Sequence, residues 1–476
     1  LIVIPRFLPQ EAIGLRLENG PGHSSGRYRS GPRCCVPHVF HGWYVLAASF
    51  LILFLNSGGR FVFGVMVKPM EAEFGWTRGA ISAAVFLSMA VYAVATIVTG
   101  RLYDRFGPKW VIALSTLLFA AGYALMATMH SLWEFLLYYG IVAAAGLGGI
   151  TVPLFGSLIG RWFEKRRGLA VSLAFAGGCF GQFFLVPVFS HLVLTSGWRA
   201  TSLWIAGTSV LLNLPLVFGV IRSDPKGLGL RPYGAPSESA DPRAALYPSD
   251  PLKSADASLA ASAAALARSL TLSQAMRTRS LWLFTLVMFI CGAADFLVTT
   301  HLVAMVTDYG VTPAEGADML AWLGLLSLGG VLLAGPAADA LGNKLPIALT
   351  FVFRIFLFGM LFALKNEPAF WTFSLGFGFT LLVTAPLTTT LLVRLYGVTH
   401  LGFISGFITM AHTFGGGFWA YLGGVLFDRT GDYDVALFIS AGMAFVALLG
   451  TILIREERHL PPARDHSPSI EKEALS

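Results

Sequence analysis

Charge is scarce in this sequence: Asp, Glu, Lys and Arg make up 12% of its 476 residues, while 55% belong to the hydrophobic set. A water-soluble domain of that length needs a more charged surface. Cysteine is nearly absent. Four residues, two of them adjacent at Cys34 and Cys35, offer no disulfide framework and no CxxC metal spacing, so no metal site and no role for the thiols is expected. There is no HExxH, no GxSxG and no clustered Cys/His set, and no soluble segment is large enough to house a catalytic domain. An enzyme is therefore not expected, nor is a cofactor. The GLGGI stretch at 146–150 lacks the strand context and the Lys–Ser/Thr of a nucleotide loop. The formal net charge of +7 could suggest nucleic acid, but the basic residues sit in short segments between apolar stretches. There they read as topology signals, and a nucleic-acid partner is not expected.

What the chain does have is apolar length. Phe (38) and Gly (52) are both abundant, which suits helices packed closely in lipid. Stretches long enough to span a bilayer fall near 43–67, 79–99, 110–128, 133–158, 169–192 and 199–221. Six more fall near 281–306, 319–338, 345–364, 370–392, 401–426 and 434–454. The expected fold is an all-α membrane protein with twelve transmembrane helices in two pseudo-symmetric six-helix bundles. The expected organisation is a disordered cytoplasmic tail at 1–40, a first bundle at 41–221, a linker at 222–280, a second bundle at 281–455 and a tail at 456–476. The opening apolar run is too short and too proline-interrupted for a signal peptide, and an upstream start would give the same appearance. The linker holds Pro225, Pro232, Pro236, Pro242, Pro248 and Pro251, and Ser258–Leu270 could form a short amphipathic surface helix.

The Lys/Arg bias sets an orientation. Arg101, Arg105 and Lys109 follow the second span, and Arg161, Lys165, Arg166 and Arg167 follow the fourth. On the other side, the loop near His130 has no Lys or Arg, and the segment from Asp308 to Asp318 has three acids and no base. Basic loops stay in the cytoplasm, so both termini and the linker are expected there, in a plasma or bacterial inner membrane.

GRLYDRFGPK at Gly100–Lys109 recurs as GPAADALGNK at Gly335–Lys344, each after the second span of its half. The first copy resembles the signature loop of the major facilitator superfamily, G-x-x-x-D-R-x-G-x-[RK]. That resemblance implies two parallel-related bundles around a central cavity and an inner-gate role for Gly100, Asp104, Arg105, Gly107 and Lys109. The second copy keeps Asp339 but has Ala340 in place of the arginine, so its latch is expected to be weaker. A narrower likeness is to the monocarboxylate-porter branch and its bacterial oxalate:formate-type relatives. RWFEKRRGLAVSLAFAGGCFG resembles that branch's fifth-helix signature through Trp162, Phe163, Lys165, Arg166, Arg167, Leu169, Ala170, Ala174, Ala176 and Gly177. FGVMVKP places Lys68 where the branch has a lysine implicated in engaging the carboxylate, and FGWTRGAIS resembles its connector into the second helix. The eighth span lacks the Asp/Arg pair of animal carriers. Its nearest acids, Asp318 and Asp339, stand at its two ends.

Ionisable residues inside spans are costly and usually face a cavity or a partner. Arg60, Gly64 and Lys68, spaced by four, share a helix face and could form a basic track for an anion. Lys68 could equally snorkel to the outer interface. Asp295 lies inside the seventh span, with His301 six residues on, and Arg354 lies mid-way along the ninth. Asp295 could couple protons to anion movement while Arg354 holds the anion or neutralises it, or the two could form a fixed structural pair. His301 and His412 are candidate proton carriers, though a lone histidine there is more often structural. Asn56 and Gln182 could line the cavity, as could Tyr92 and Tyr139, and Pro386 could bend the tenth span. The expected function is secondary transport of a small organic anion, monocarboxylate-like, with protons. Anion exchange, drug or metabolite efflux, or a non-transporting membrane sensor are the alternatives. No obligate protein partner is inferred.

Overall fold

The computed structural model describes residues 40–234, 272–396 and 401–454. The expected tail at 1–40 apart from Phe40, the tail at 456–476 and most of the linker, Ser258–Leu270 included, lie outside the described residues. Among the described residues, ten helical stretches are long and apolar enough to cross a membrane. In chain order the segments are α1 (His41–Phe74), α2 (Arg78–Phe106), α3 (Pro108–Met126) and α4 (Leu132–Trp162). Next comes a continuous Arg167–Gly219 stretch, interrupted at Gly197 (φ 82°, ψ 161°), which gives α5 (167–196) and α6 (198–219). Then follow α7 (Arg279–Asp308), α8 (Pro313–Leu341), α9 (Lys344–Ala363) and α10 (Glu367–Leu392). A further 30-residue helix, α11 (Leu401–Thr430), and α12 (Asp434–Leu453) complete twelve. No sheet occurs among the described residues; one bridge joins Phe163 to Tyr233.

Several helices begin where a side chain satisfies an exposed amide. Thr77 accepts from Ala80 N at 3.2 Å, Thr278 from Leu281 N at 3.4 Å, and Asn366 from Ala369 N at 3.0 Å. Thr312 and Glu315 form a reciprocal capping box ahead of α8. Most helices overrun the apolar stretches because their polar ends continue the turn outside them. The tenth span is two helices, Glu367–Leu381 and Thr384–Tyr396. Pro386 has no amide to donate to the Leu382 carbonyl, so the ladder breaks there, and Ala385 N takes that oxygen instead at 3.2 Å.

The internal repeat is structural as well as sequential. Gly107 (φ 80°, ψ 167°) ends α2 and Gly342 (φ 78°, ψ 168°) ends α8, a left-handed φ that side chains with a Cβ avoid. Each turn is followed by a lysine reaching the last helix of its half. Lys109 Nζ lies 5.1 Å from the Phe218 ring centre on α6, and Lys344 Nζ donates to the Ile452 and Ile454 carbonyls closing α12, at 3.0 and 2.6 Å.

The apolar core has a consequential shape. At the end where α1 finishes and α7 finishes it is one cluster, drawing on Val62–Met70, Ile81, Val85, Val298, Val303, Leu320, Phe358 and Ala420. At the other end, where the basic loops lie, it is divided. Val45–Leu53, Tyr103, Phe155 and Ala174 form one cluster, and Leu281–Cys291, Ala334, Phe351 and Ile408 another. The two halves are fused at one end and separate at the other.

Candidate functional site

One group of polar span residues lies at the level where the shared core gives way to the divided ones. Along α1, the divided core ends at Leu53 and the shared core begins at Val62; Asn56 and Arg60 lie between. On α5, Cys179 and Gln182 fall between Ala174 and Val186. On α9, Arg354 falls between Phe351 and Leu357. Asp295 on α7 sits at the same junction, beside Cys291 and Ala294, and His412 on α11 lies between Ile408 and Ala420. Apolar packing alone would favour none of these side chains here, so their common level marks a built polar layer.

Arg60 is the unpaired member. Its guanidinium is ringed by Phe61, Tyr92 and Phe296 at 5.6, 5.6 and 5.4 Å from the ring centres, and its only hydrogen-bond acceptor among the described residues is Met89 Sδ at 3.9 Å. Aromatic faces attract a cation but do not neutralise it. One turn earlier, Asn56 Oδ1 is buried with no partner among the described residues. Phe296 is contributed by α7, so Arg60 stands at the seam between the halves. Phe296 also contacts the His412 ring, centre to centre 6.3 Å.

On the far side of Phe296 lies a closed charge network. Arg354, fully buried, places Nη2 2.7 Å from Asp295 Oδ1. It also donates to Thr380 Oγ1 and carbonyl at 3.3 and 3.2 Å and to the Cys291 carbonyl at 3.4 Å. His412 Nε2 is 3.2 Å from the other oxygen, Asp295 Oδ2, and Cys291 Sγ donates to that same oxygen at 3.7 Å. Gln182 donates to the Leu320 carbonyl at 2.9 Å and so fastens α5 to α8.

Lys68 and His301 belong to a different place, the fused end. Lys68 Nζ pairs with Asp308 Oδ1 at 2.7 Å. Arg78 takes the same carboxylate with two nitrogens, at 2.5 and 2.9 Å, and reaches Glu71 at 3.2 Å. Asp428 accepts from the amides of Arg78 and Gly79 at 2.9 and 2.8 Å, a carboxylate at a helix start. His301 Nε2 lies 2.8 Å from the Ala420 carbonyl and 3.2 Å from Ser82 Oγ. A carbonyl only accepts, so Nε2 carries the hydrogen and Nδ1 accepts from Tyr433 Oη at 2.9 Å. Arg78 in turn donates to that hydroxyl at 3.1 Å. Gly64 lets α1 touch α7 here: a Cβ at that position would stand 2.9 Å from the Thr299 carbonyl.

The Major Facilitator Superfamily sequence model matches residues 49–331 and 284–476. The chain belongs to the Major Facilitator Superfamily. This facilitator is 25% identical over 432 residues to the uncharacterized MFS-type transporter YcxA of Bacillus subtilis (strain 168), covering 86% of this chain and 94% of that one. It is 25% identical over 431 residues to Monocarboxylate transporter 13 of Bos taurus, covering 90% and 91%. It is also 26% identical over 412 residues to Monocarboxylate transporter 11 of Homo sapiens, covering 84% and 80%. Among solved structures, a D-xylose-proton symporter superposes with a TM-score of 0.65 at 16% identity, covering 87% of this chain and 97% of that one. A variant of the nucleoside transporter NupG gives the same score at 12% identity, covering 87% and 99%. With this fold the protein is a secondary transporter of small molecules.

The facilitator's expected inner-gate and fifth-helix residues lie at the divided end, whereas Tyr139 stacks on Phe63 in the shared core. Asp104 and Arg105 are exposed, and Asp104 has no ion-pair partner among the described residues. Gly100 has open space about it, and Asp339 is exposed. The fifth-helix signature forms a clasp. Trp162 Nε1 donates to the Arg222 carbonyl at 3.1 Å, Tyr233 N donates to the Trp162 carbonyl at 2.8 Å, and Glu164 and Lys165 amides return to the Tyr233 carbonyl, both at 3.1 Å. Arg222 and Tyr233, at the start of the expected linker, are thus bonded to the first half. Lys165 and Arg167 are exposed, and Arg166 adopts a left-handed φ of 57° ahead of α5. Gly177 packs directly on the Phe50 carbonyl of α1. Sequence reasoning left out Arg78, Asp428, Tyr433, Cys291 and Thr380; only a basic residue at a span's start, in Arg78, signalled any of them.

Proposed function

We propose that this facilitator moves a small organic anion of the monocarboxylate kind together with a proton, by alternating access between its halves. The observation that carries the reading is Arg60, a guanidinium at the seam of the two halves without a carboxylate partner among the described residues. A cation kept so far inside a span needs a counter-charge, and a transported carboxylate supplies it with bidentate geometry. The aromatic ring around it suits a short apolar tail on that carboxylate. Two relatives that align along most of the chain bear the name monocarboxylate transporter, which favours the same class.

Asp295 is the group to carry the proton. When protonated, it releases Arg354 and His412 from its charge; when ionised, it is held by both. Lys68, on this reading, serves closure of the outer end through Asp308 rather than direct contact with the anion, and His301 fastens that end. The basic loops and both termini are cytoplasmic by the Lys/Arg bias. The divided core therefore opens inward, with Asp104 and Arg105 unlatched.

The test is uptake of lactate, pyruvate, formate, oxalate and acetate into proteoliposomes, with and without an inward-acid gradient. Gradient-driven uptake lost in Asp295→Asn supports symport. Flux only against a preloaded interior makes the protein an exchanger, and no flux of any of the five removes the anion reading.

A further inference from the structure

We propose that Cys291, Asp295 and His412 form a binding site for a thiophilic divalent cation of the zinc and cadmium kind. Cys291 and Asp295 are one turn apart on α7 and share a face; His412 comes from α11. One ligand atom from each of the three lies within 4.8 Å of the others. The two separations measured from Asp295 Oδ2 fit a single ion. Bonds of about 2.0 Å to nitrogen and oxygen and about 2.3 Å to sulfur, set tetrahedrally, give edges of about 3.3 Å for N···O and about 3.5 Å for S···O. The corresponding distances are 3.2 Å for His412 Nε2 to Asp295 Oδ2 and 3.7 Å for Cys291 Sγ to that same oxygen.

The surroundings agree with that use. Arg354 Nη2 occupies the other carboxylate oxygen, which leaves Oδ2 turned toward sulfur and imidazole and gives the carboxylate the outer-shell hold that metal ligands commonly have. Arg354 Nη1 also lies 3.6 Å from Cys291 Sγ, so one guanidinium touches two of the three ligands. Binding releases the thiol proton to solvent. The set then carries carboxylate, thiolate, guanidinium and dication, and its one excess positive charge is met by water-derived hydroxide or an anion at the open fourth position. His412, with about a quarter of its side chain exposed, gives access. The site stands whether or not Asp295 couples protons. If it does, an ion there occupies the proton's oxygen and arrests transport.

The experiment uses the full chain with Cys34, Cys35 and Cys179 replaced by serine, leaving Cys291 as the sole thiol. Purified protein is titrated with Cd2+ while the near-ultraviolet thiolate–cadmium band is followed, then back-titrated with Zn2+. The expected result is one Cd2+ per chain with the band, displaced by Zn2+, absent in Cys291→Ser, and weakened about tenfold or more in His412→Gln. Protection of Cys291 from maleimide by Zn2+ reads the same site without any change at that residue. No band and no protection, or a band unchanged in His412→Gln, overturns the proposal.

Discussion

Arg78 on α2 and Asp308 at the end of α7 hold one carboxylate against one guanidinium at two points, 2.5 and 2.9 Å, across the seam between the halves. Arg78 is 3% exposed, while Asp308 keeps about a quarter of its side chain in contact with solvent. Removing one partner of a buried pair costs about 3–5 kcal/mol, and the exposure of Asp308 puts this pair at the lower end of that range. Arg78→Ala should therefore loosen the fused end without unfolding either half. Hydrogen–deuterium exchange over 62–82 and 300–309 should quicken, while that over 45–53 and 281–291 stays as it was. Equal acceleration in all four segments would mean that the pair holds the fold itself.

Arg60→Gln should raise the KM for the transported anion roughly tenfold to a hundredfold, because a hydrogen bond to a charged group contributes about 1.5–3 kcal/mol. Arg60→Lys should recover part of that, keeping the charge but losing the planar fork. Unchanged KM in both variants would remove Arg60 from the anion's path.

Asp295→Asn leaves Arg354 buried without its counter-charge, and a large fall in melting temperature in detergent is expected, on the order of 3–5 kcal/mol in stability. The double change Asp295→Asn with Arg354→Gln should melt nearer to the wild type than either single variant. If the double variant is instead the least stable, the pair is not what the singles are breaking.

Two glycines offer a contrast. A methyl group at Gly177 meets the Phe50 carbonyl, which belongs to the same half, so Gly177→Ala should lower stability by about 1–3 kcal/mol. A methyl group at Gly64 meets the Thr299 and Thr300 carbonyls, at 2.9 and 3.3 Å, across the seam. Gly64→Ala should leave the melting temperature nearly unchanged while slowing turnover, because the clash exists only when the end is shut. Comparable melting losses in both would refute that division.

The helices were legible because a span must be long and apolar, and a charge inside one is conspicuous. Arg60, Asp295 and Arg354 stand out for that reason alone. Their partners were not legible, since Asp295 meets His412 across 117 positions of chain and Arg78 meets Asp428 across 350. Only packing sets those pairings. Arg78 escaped notice because an arginine at a span's start looks like an interface anchor, and Cys291 because a lone cysteine in an apolar run looks like filler. The repeat could be read because Gly107 and Gly342 must both adopt a backbone that few residues tolerate.

The bonds around His301 have a direction. From Arg78 through the Tyr433 hydroxyl and the imidazole to the Ala420 carbonyl, the two middle groups each give one hydrogen forward and receive one from behind. The two outer links cannot be reversed, because the guanidinium cannot accept and the carbonyl cannot donate. A second hydrogen on the imidazole would turn the middle link round, with Nδ1 donating to the tyrosine oxygen and the phenolic hydrogen left without this acceptor. The hydrogen count of one imidazole thus sets the sense of one link in the fused end, beside ion pairs that do not pass through it.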